Sequence, residues 1–172
     1  MPTLIELPDI ESCALFCQEL GLQFLELNMN LPQYQVSALD TVLLQQTAQR
    51  YGIYYTIHLD ENLDPCNFNP RIAEAWTRTT IDTVHLAQKL KVPVLNLHLN
   101  QGVYFTLPSK RVYLYQQEKK RYLSALKTFR DAVTEAVQNS TLTRALFFFI
   151  ICGKIISFNA PKEETLWKPN IR

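Results

Sequence analysis

One pattern occurs three times in succession and limits what this chain can fold into: a short apolar run that turns polar at its C-terminal end. The three segments are GLQFLELNMN (21–30), GIYYTIHLDEN (52–62) and VPVLNLHLNQG (92–102). Amphipathic stretches of helical length lie between them. This alternation is typical of consecutive strand–helix units in a parallel sheet, in which functional groups gather where the strands end. It therefore predicts an α/β fold with about four such units.

Capping signals mark where the helices begin. Ser37 and Asp40 match a capping box and predict a second helix that runs to about Tyr51. Asn69–Pro70 pairs a good cap with a proline at the first helical position, which predicts the start of a third helix. The usual first strand of such a fold is expected to be missing or reduced to Thr3–Leu7.

The chain is expected to divide into a repeating part, residues 1–140, and an atypical tail, residues 141–172. Near the end of the repeating part, a long loop over 100–109 precedes a fourth helix that ends near Val137. The run ALFFFIIC (145–152) is too short to cross a bilayer and predicts a buried strand. Irregular chain is expected after it, because no further strand–helix pattern follows.

Polar residues interrupt the three predicted strands on one face only. Side chains alternate along a strand, so those that share this face are Glu26, Asn28, Thr56, His58, Asn96 and His98. Strands of a parallel sheet are normally apolar on both faces, and an unpaired buried polar group costs about 1–3 kcal/mol. The stripe therefore predicts a polar cavity, such as the mouth of a barrel. The alternative is a face that is simply wet because the barrel does not close.

Composition narrows the possible partners and the compartment. The 172 residues carry a net charge of +1, which favours neither nucleic acid nor an anionic membrane. None of the four cysteines completes a zinc pattern, and Cys13 and Cys17 are expected to be buried thiols on one helix. The N-terminus shows no signal-peptide pattern, so a cytoplasmic location is expected.

The motifs GLQFLEL, YTIHL and VLNLHLNQG resemble the xylose isomerase-like TIM barrels, a superfamily that includes sugar phosphate isomerases and epimerases and the endonuclease IV type of AP endonuclease. The resemblance covers roughly residues 10–137 and implies a partial (β/α)8 barrel. It implies that Glu26, His58 and His98 line the pocket as catalytic groups. The other polar residues of the stripe would bind substrate, and these are Asn28, Thr56 and Asn96.

The resemblance also implies a divalent metal, either Mn, Mg or Zn, for which His58 and His98 are the candidate ligands. In the isomerases, later strands supply the carboxylates that complete the metal site. The run 145–152 here ends without Glu or Asp, and no later unit follows. The chain therefore resembles about half a barrel, as a truncated or frame-shifted product would, and it is expected to bind metal weakly or not at all.

Three functions are compatible with these observations. The first is an isomerase or epimerase of a small sugar or sugar phosphate, impaired in this chain. The second is an endonuclease IV-like repair enzyme, against which the neutral charge argues. The third is a non-catalytic half-barrel, which open sheet edges would allow to self-associate.

Overall fold

A computed structural model describes residues 1–100, 102–138, 146–151 and 154–159. The helices are α1 (Ile10–Glu19), α2 (Thr41–Tyr51), α3 (Pro70–Lys89), α4 (Leu114–Gln117) and α5 (Lys119–Gln138), with a 3-10 turn at Pro32–Tyr34. The strands are β1 (Phe24–Asn28), β2 (Tyr54–His58), β3 (Val94–His98), β4 (Tyr104–Thr106), β5 (Arg111–Tyr113), β6 (Leu146–Ile151) and β7 (Lys154–Asn159). Among these helices, none is long and apolar enough to cross a membrane.

The main sheet has the strand order β1-β2-β3-β6-β7. The first four of these strands are parallel neighbours, and β7 pairs antiparallel with β6. Strands that follow one another along the main sheet therefore lie side by side, as they do in a (β/α)8 barrel. The parallel α/β architecture expected from the sequence is confirmed.

The helices cover the aliphatic face of this sheet. Its strand residues are all at most 2% exposed, and they are Leu25, Leu27, Tyr55, Ile57, Leu95 and Leu97. They share one core with residues of all five helices, among them Cys13 and Cys17 of α1. Both thiols are free and buried, as expected. Burial of this face leaves the opposite face to the polar stripe.

The N-terminal segment pairs with the sheet earlier in the chain than expected. The Thr3 amide donates to the Glu26 carbonyl oxygen at 2.8 Å, and the Glu26 amide donates to the Met1 carbonyl oxygen at 2.7 Å. Pro2 forms an isolated parallel bridge with Glu26, whereas residues 5 and 6 are in a turn. The usual first strand is therefore reduced to one bridge, as expected, but the bridge lies at Pro2 and not within Thr3–Leu7, because the pairing is already complete at Thr3. The outer edge of β1 is partly covered by this segment.

Two further regions differ from the expectation. The loop over 100–109 contains β4, which pairs antiparallel with β5 in a separate hairpin. β6 lies in the region where a strand was expected, but β7 follows it where irregular chain was expected. The β7 segment KIISFN is rich in β-branched and aromatic residues, and such residues favour an extended chain beside an existing strand edge. The division at residue 140 remains a prediction.

Helix caps follow the sequence in one case and differ from it in the other. Asn69 caps α3 by accepting from the Arg71 amide at 3.1 Å, and this prediction is confirmed. The cap of α2 is Asp40, whose carboxylate accepts from the amides of Val42 at 2.9 Å and Leu43 at 3.1 Å. The capping box that began at Ser37 is therefore wrong, because residues 35–38 form their own turn before the helix.

We expect Asp40→Ala to lower the free energy of unfolding by about 1 kcal/mol, because two amides of the first turn of α2 lose their acceptor. Ser37→Ala is the matched control and should change it by less than about 0.5 kcal/mol, since Ser37 is exposed and lies before the helix. Urea unfolding of both variants measures the difference. An equal loss in the two variants would contradict the assignment of the cap.

Candidate functional site

The six polar residues of the stripe lie in adjoining register positions of β1, β2 and β3. Glu26 pairs with Thr56, Asn28 pairs with His58, and His58 in turn pairs with Asn96 on its other side. Alternation along each strand puts all six on the face opposite the aliphatic core. Five of them are half-buried and Thr56 is buried. The stripe expected from the sequence is therefore a continuous polar surface near the carboxyl ends of the strands.

His58 and His98 lie in contact at the rim of this surface. Their ring centroids are 4.7 Å apart and the ring planes are inclined by 56°. His58 Nδ1 lies 2.8 Å from the carbonyl oxygen of Leu59. A carbonyl oxygen only accepts, so Nδ1 carries the hydrogen and Nε2 is the acceptor in the neutral ring. Such backbone orientation is common for imidazoles that bind metal or move protons.

Asn28 is already engaged by the protein. Its Oδ1 accepts from both the backbone amide and the side-chain Nδ2 of Asn30, at 3.0 and 2.8 Å. Asn30 Oδ1 in turn accepts from the Glu61 amide at 2.9 Å. The side-chain oxygen of Asn28 thus holds Asn30, and Asn30 joins the loop after β1 to the loop after β2. Its role in binding substrate remains a prediction.

Thr56 is the polar residue of the stripe with an unsatisfied group. The residue is 7% exposed, and its hydroxyl has no hydrogen-bond partner among the described residues. Buried polar groups are almost always paired with protein or with water. The buried hydroxyl of Thr47 in α2 is likewise unpaired, so the unpaired state of Thr56 fits an ordered water or a polar ligand beside it and does not by itself mark a site.

The described residues do not form a metal centre by themselves. In ranges 1–100 and 102–138 no group of three or more His, Cys, Asp or Glu side chains is arranged to hold an ion. Glu26 is on the same face as the two histidines but does not complete a site with them. Zinc, manganese and magnesium sites in proteins need three or more such ligands or their equivalents. The histidine pair therefore offers two ligands and an incomplete site.

Two residues that connect α4 to the loop after β2 could not be found from a sequence motif. The Tyr115 hydroxyl donates to Asp64 at 2.5 Å, between α4 and the loop after β2. The two residues are 51 positions apart, and neither lies in a strand-end motif. Burial, followed by the hydrogen bond to Asp64, raises the pKa of Tyr115 well above that of an ordinary phenol. Only the folded chain brings this pair together.

Comparison with solved structures finds the same fold in three proteins that are named as epimerases or as epimerase-like. A D-tagatose 3-epimerase-like protein is similar with a TM-score of 0.65 and 14% identity, over 81% of this chain and 49% of that one. The 3-keto-D-glucoside 4-epimerase of E. coli is similar with a TM-score of 0.63 and 10% identity, over 87% of this chain and 54% of that one. D-psicose 3-epimerase from Clostridium cellulolyticum H10 is similar with a TM-score of 0.55 and 13% identity, over 76% of this chain and 45% of that one.

These likenesses show that the chain shares its parallel strand–helix fold with the matching halves of these solved structures. Sequence identities of 10–14% show a shared architecture and do not show a shared reaction. The chain spans about half the length of the structures that it matches. No protein-family model and no curated protein matches it.

We expect Thr56→Val to leave the free energy of unfolding unchanged or to raise it by up to about 1 kcal/mol, because the substitution removes a buried hydroxyl that has no partner. Thr80→Val is the matched control: Thr80 is also buried, but its hydroxyl donates to the Trp76 carbonyl oxygen at 3.0 Å. That variant should lose about 1 kcal/mol. A larger loss in Thr56→Val than in the control, measured by urea unfolding, would contradict the unpaired state.

Proposed function

We propose that this chain is an isomerase- or epimerase-type barrel segment whose polar face binds a small sugar or sugar phosphate. The observation that carries the proposal is the His58–His98 pair at neighbouring strand ends, with ring centroids 4.7 Å apart. The solved proteins that share this fold are named as epimerases of sugars. A sugar presents hydroxyl groups in a row, and this face presents amide, hydroxyl and imidazole groups in a row.

The two imidazoles are the proposed proton-transfer groups. A histidine near neutral pH can both accept and release a proton, which is the step that epimerisation next to a carbonyl group requires. The hydrogen bond from Nδ1 to Leu59 fixes the orientation of His58 and keeps Nε2 as the basic atom. Glu26, half-buried on the same face, is the proposed third catalytic group. Thr56, Asn28 and Asn96 are the proposed contacts for sugar hydroxyls.

The chain alone is not expected to turn over a sugar efficiently. Sugar isomerisation on this fold is expected to need a divalent metal, and the described residues offer two ligands for it. The missing ligands would have to come from outside the described residues or from a second copy.

We expect the purified 172-residue chain, assayed with manganese against a panel of ketoses and their phosphates, to show little or no turnover. Loss of metal assistance removes several kcal/mol of charge stabilisation, which corresponds to roughly a thousandfold or more in rate. Binding of the same sugars, followed by the NMR signals of the imidazole protons, should nevertheless shift His58 and His98. The exposed His85 of α3 is the internal control and should not shift.

A turnover of about 1 s⁻¹ lies within the usual range for enzymes. Such a turnover would overturn the expectation of an impaired chain if His98→Ala abolished it and His85→Ala kept it. It would indicate that self-association completes the site. Absence of any sugar-dependent shift at His58 and His98 would count against the sugar-binding proposal itself.

We expect zinc and manganese to bind weakly or not at all to the chain alone, because two imidazoles make an incomplete site. Calorimetric titration measures this directly. Any weak zinc binding should disappear in the double variant His58→Ala/His98→Ala and persist in His85→Ala. Submicromolar affinity that survives in the double variant would mean that the metal site lies elsewhere in the chain.

A further inference from the structure

Asp64 and Tyr115 form a buried polar pair beside the candidate site. Asp64 is 8% exposed and Tyr115 is also 8% exposed. The carboxylate accepts from the Tyr115 hydroxyl at 2.5 Å through one oxygen and from Asn67 Nδ2 at 2.8 Å through the other. Buried carboxylates are rare unless they are paired in this way. The proposed reaction does not use this pair.

The ring of Tyr115 is held in place from several sides. Phe68 contacts it edge-on with centroids 5.2 Å apart, and Tyr122 stacks on it at 4.6 Å. A Cβ atom added to Gly102 would lie 2.5 Å from Tyr115 Cε2, and Gly102 has a φ of +74°. The backbone after β3 therefore passes directly against the Tyr115 ring, at a position that only glycine fills without strain.

Backbone hydrogen bonds connect the same loops. The Asn100 amide donates to the Leu63 carbonyl oxygen at 3.0 Å, which joins the loop after β3 to the loop after β2. The Leu114 amide donates to the Val103 carbonyl oxygen at 3.0 Å, which joins the start of α4 to the chain after β3. The bond from Tyr115 to Asp64 then joins α4 back to the loop after β2. The three connections form a closed circuit.

Both candidate histidines lie at the base of this circuit. His58 ends β2 and precedes the loop that carries Asp64, and His98 ends β3 two residues before Asn100. Strand register sets where the two strand ends lie, since His58 pairs with Asn96 and the Leu59 amide donates to the Asn96 carbonyl oxygen at 2.9 Å. The loops beyond the strand ends limit how far the two rings can move apart. Of the three hydrogen bonds in the circuit, two are between backbone groups, and the bond from Tyr115 to Asp64 is the one that a side-chain substitution removes.

We propose that Tyr115 and Asp64 are positioning residues that close the rim loops and thereby hold the His58 and His98 rings in contact. Both residues act through the two loops. The inference rests on the proposed function in so far as the histidines are its working groups. Its test is made without sugar and without metal, so its failure is distinguishable from failure of the proposed function.

The test is Tyr115→Phe in the full chain, followed by NMR. Loss of the hydroxyl should weaken the nuclear Overhauser contact between the His58 and His98 ring protons. It should also raise hydrogen exchange at the Asn100 amide by roughly tenfold or more, since a hydrogen bond to a charged group no longer opposes opening of the loops.

Tyr55→Phe is the matched control. Tyr55 is likewise buried, and its hydroxyl donates to the Leu44 carbonyl oxygen at 3.0 Å on the helix-covered side of the sheet. It should lower stability while keeping the contact between the two histidine rings and the protection of Asn100. A purely structural role of Tyr115 would give the same result in both variants.

Asp64→Asn tests the pair from the other side. The amide oxygen of asparagine still accepts from the Tyr115 hydroxyl, so the histidine contact should be kept. An unchanged histidine contact in Tyr115→Phe, or an equal loss in Tyr55→Phe, overturns the proposal. If Tyr115→Phe does not fold, exchange in the wild-type chain decides: the amides of Asn100 and Leu114 must open with the same free energy, and unequal opening overturns it.

Discussion

The structure depends on a strict separation of the two faces of one parallel sheet. Helices cover the face that carries Leu25, Ile57 and Leu95, and those residues are at most 1% exposed. A shift of one residue in register would bring Glu26 or His58 under the helices and place leucine in the polar stripe. Burial of unpaired polar groups there would cost more than the marginal stability of a domain can absorb. The same alternation that builds the core therefore also builds the candidate site.

The polar face, once formed, is organised mainly by contacts between loops. Asn30 connects the loops after β1 and β2, and the bond from Asn100 to Leu63 connects those after β2 and β3. These connections lie beyond the strand ends, where the ladder of the sheet no longer restrains the chain. The rim is thus built in two steps, first by strand register and then by hydrogen bonds between successive loops. In the second step, side chains such as Asn28 form hydrogen bonds within the protein.

Strand-level features were predictable because they depend on short periods in the sequence. Alternation within five residues places His58 and His98 on one face, and the Asn69–Pro70 signal is equally local. The β4–β5 hairpin was not predictable in this way, since its strands have three residues each and show no clear alternation. The choice of Asp40 over Ser37 as a cap depends on a turn that precedes the helix. The bond from Tyr115 to Asp64 depends on tertiary folding alone.

A polar rim of this kind is stable without any ligand. Asn28 and His58 each find a partner within the protein, and of the side chains of the stripe only Thr56 has a fully buried atom without one. Hydrogen bonds within the protein therefore account for two of the six residues of the stripe, Asn28 and His58. The Thr56 hydroxyl differs in this respect, because it is buried without a partner among the described residues and can be paired by an ordered water or by a polar ligand.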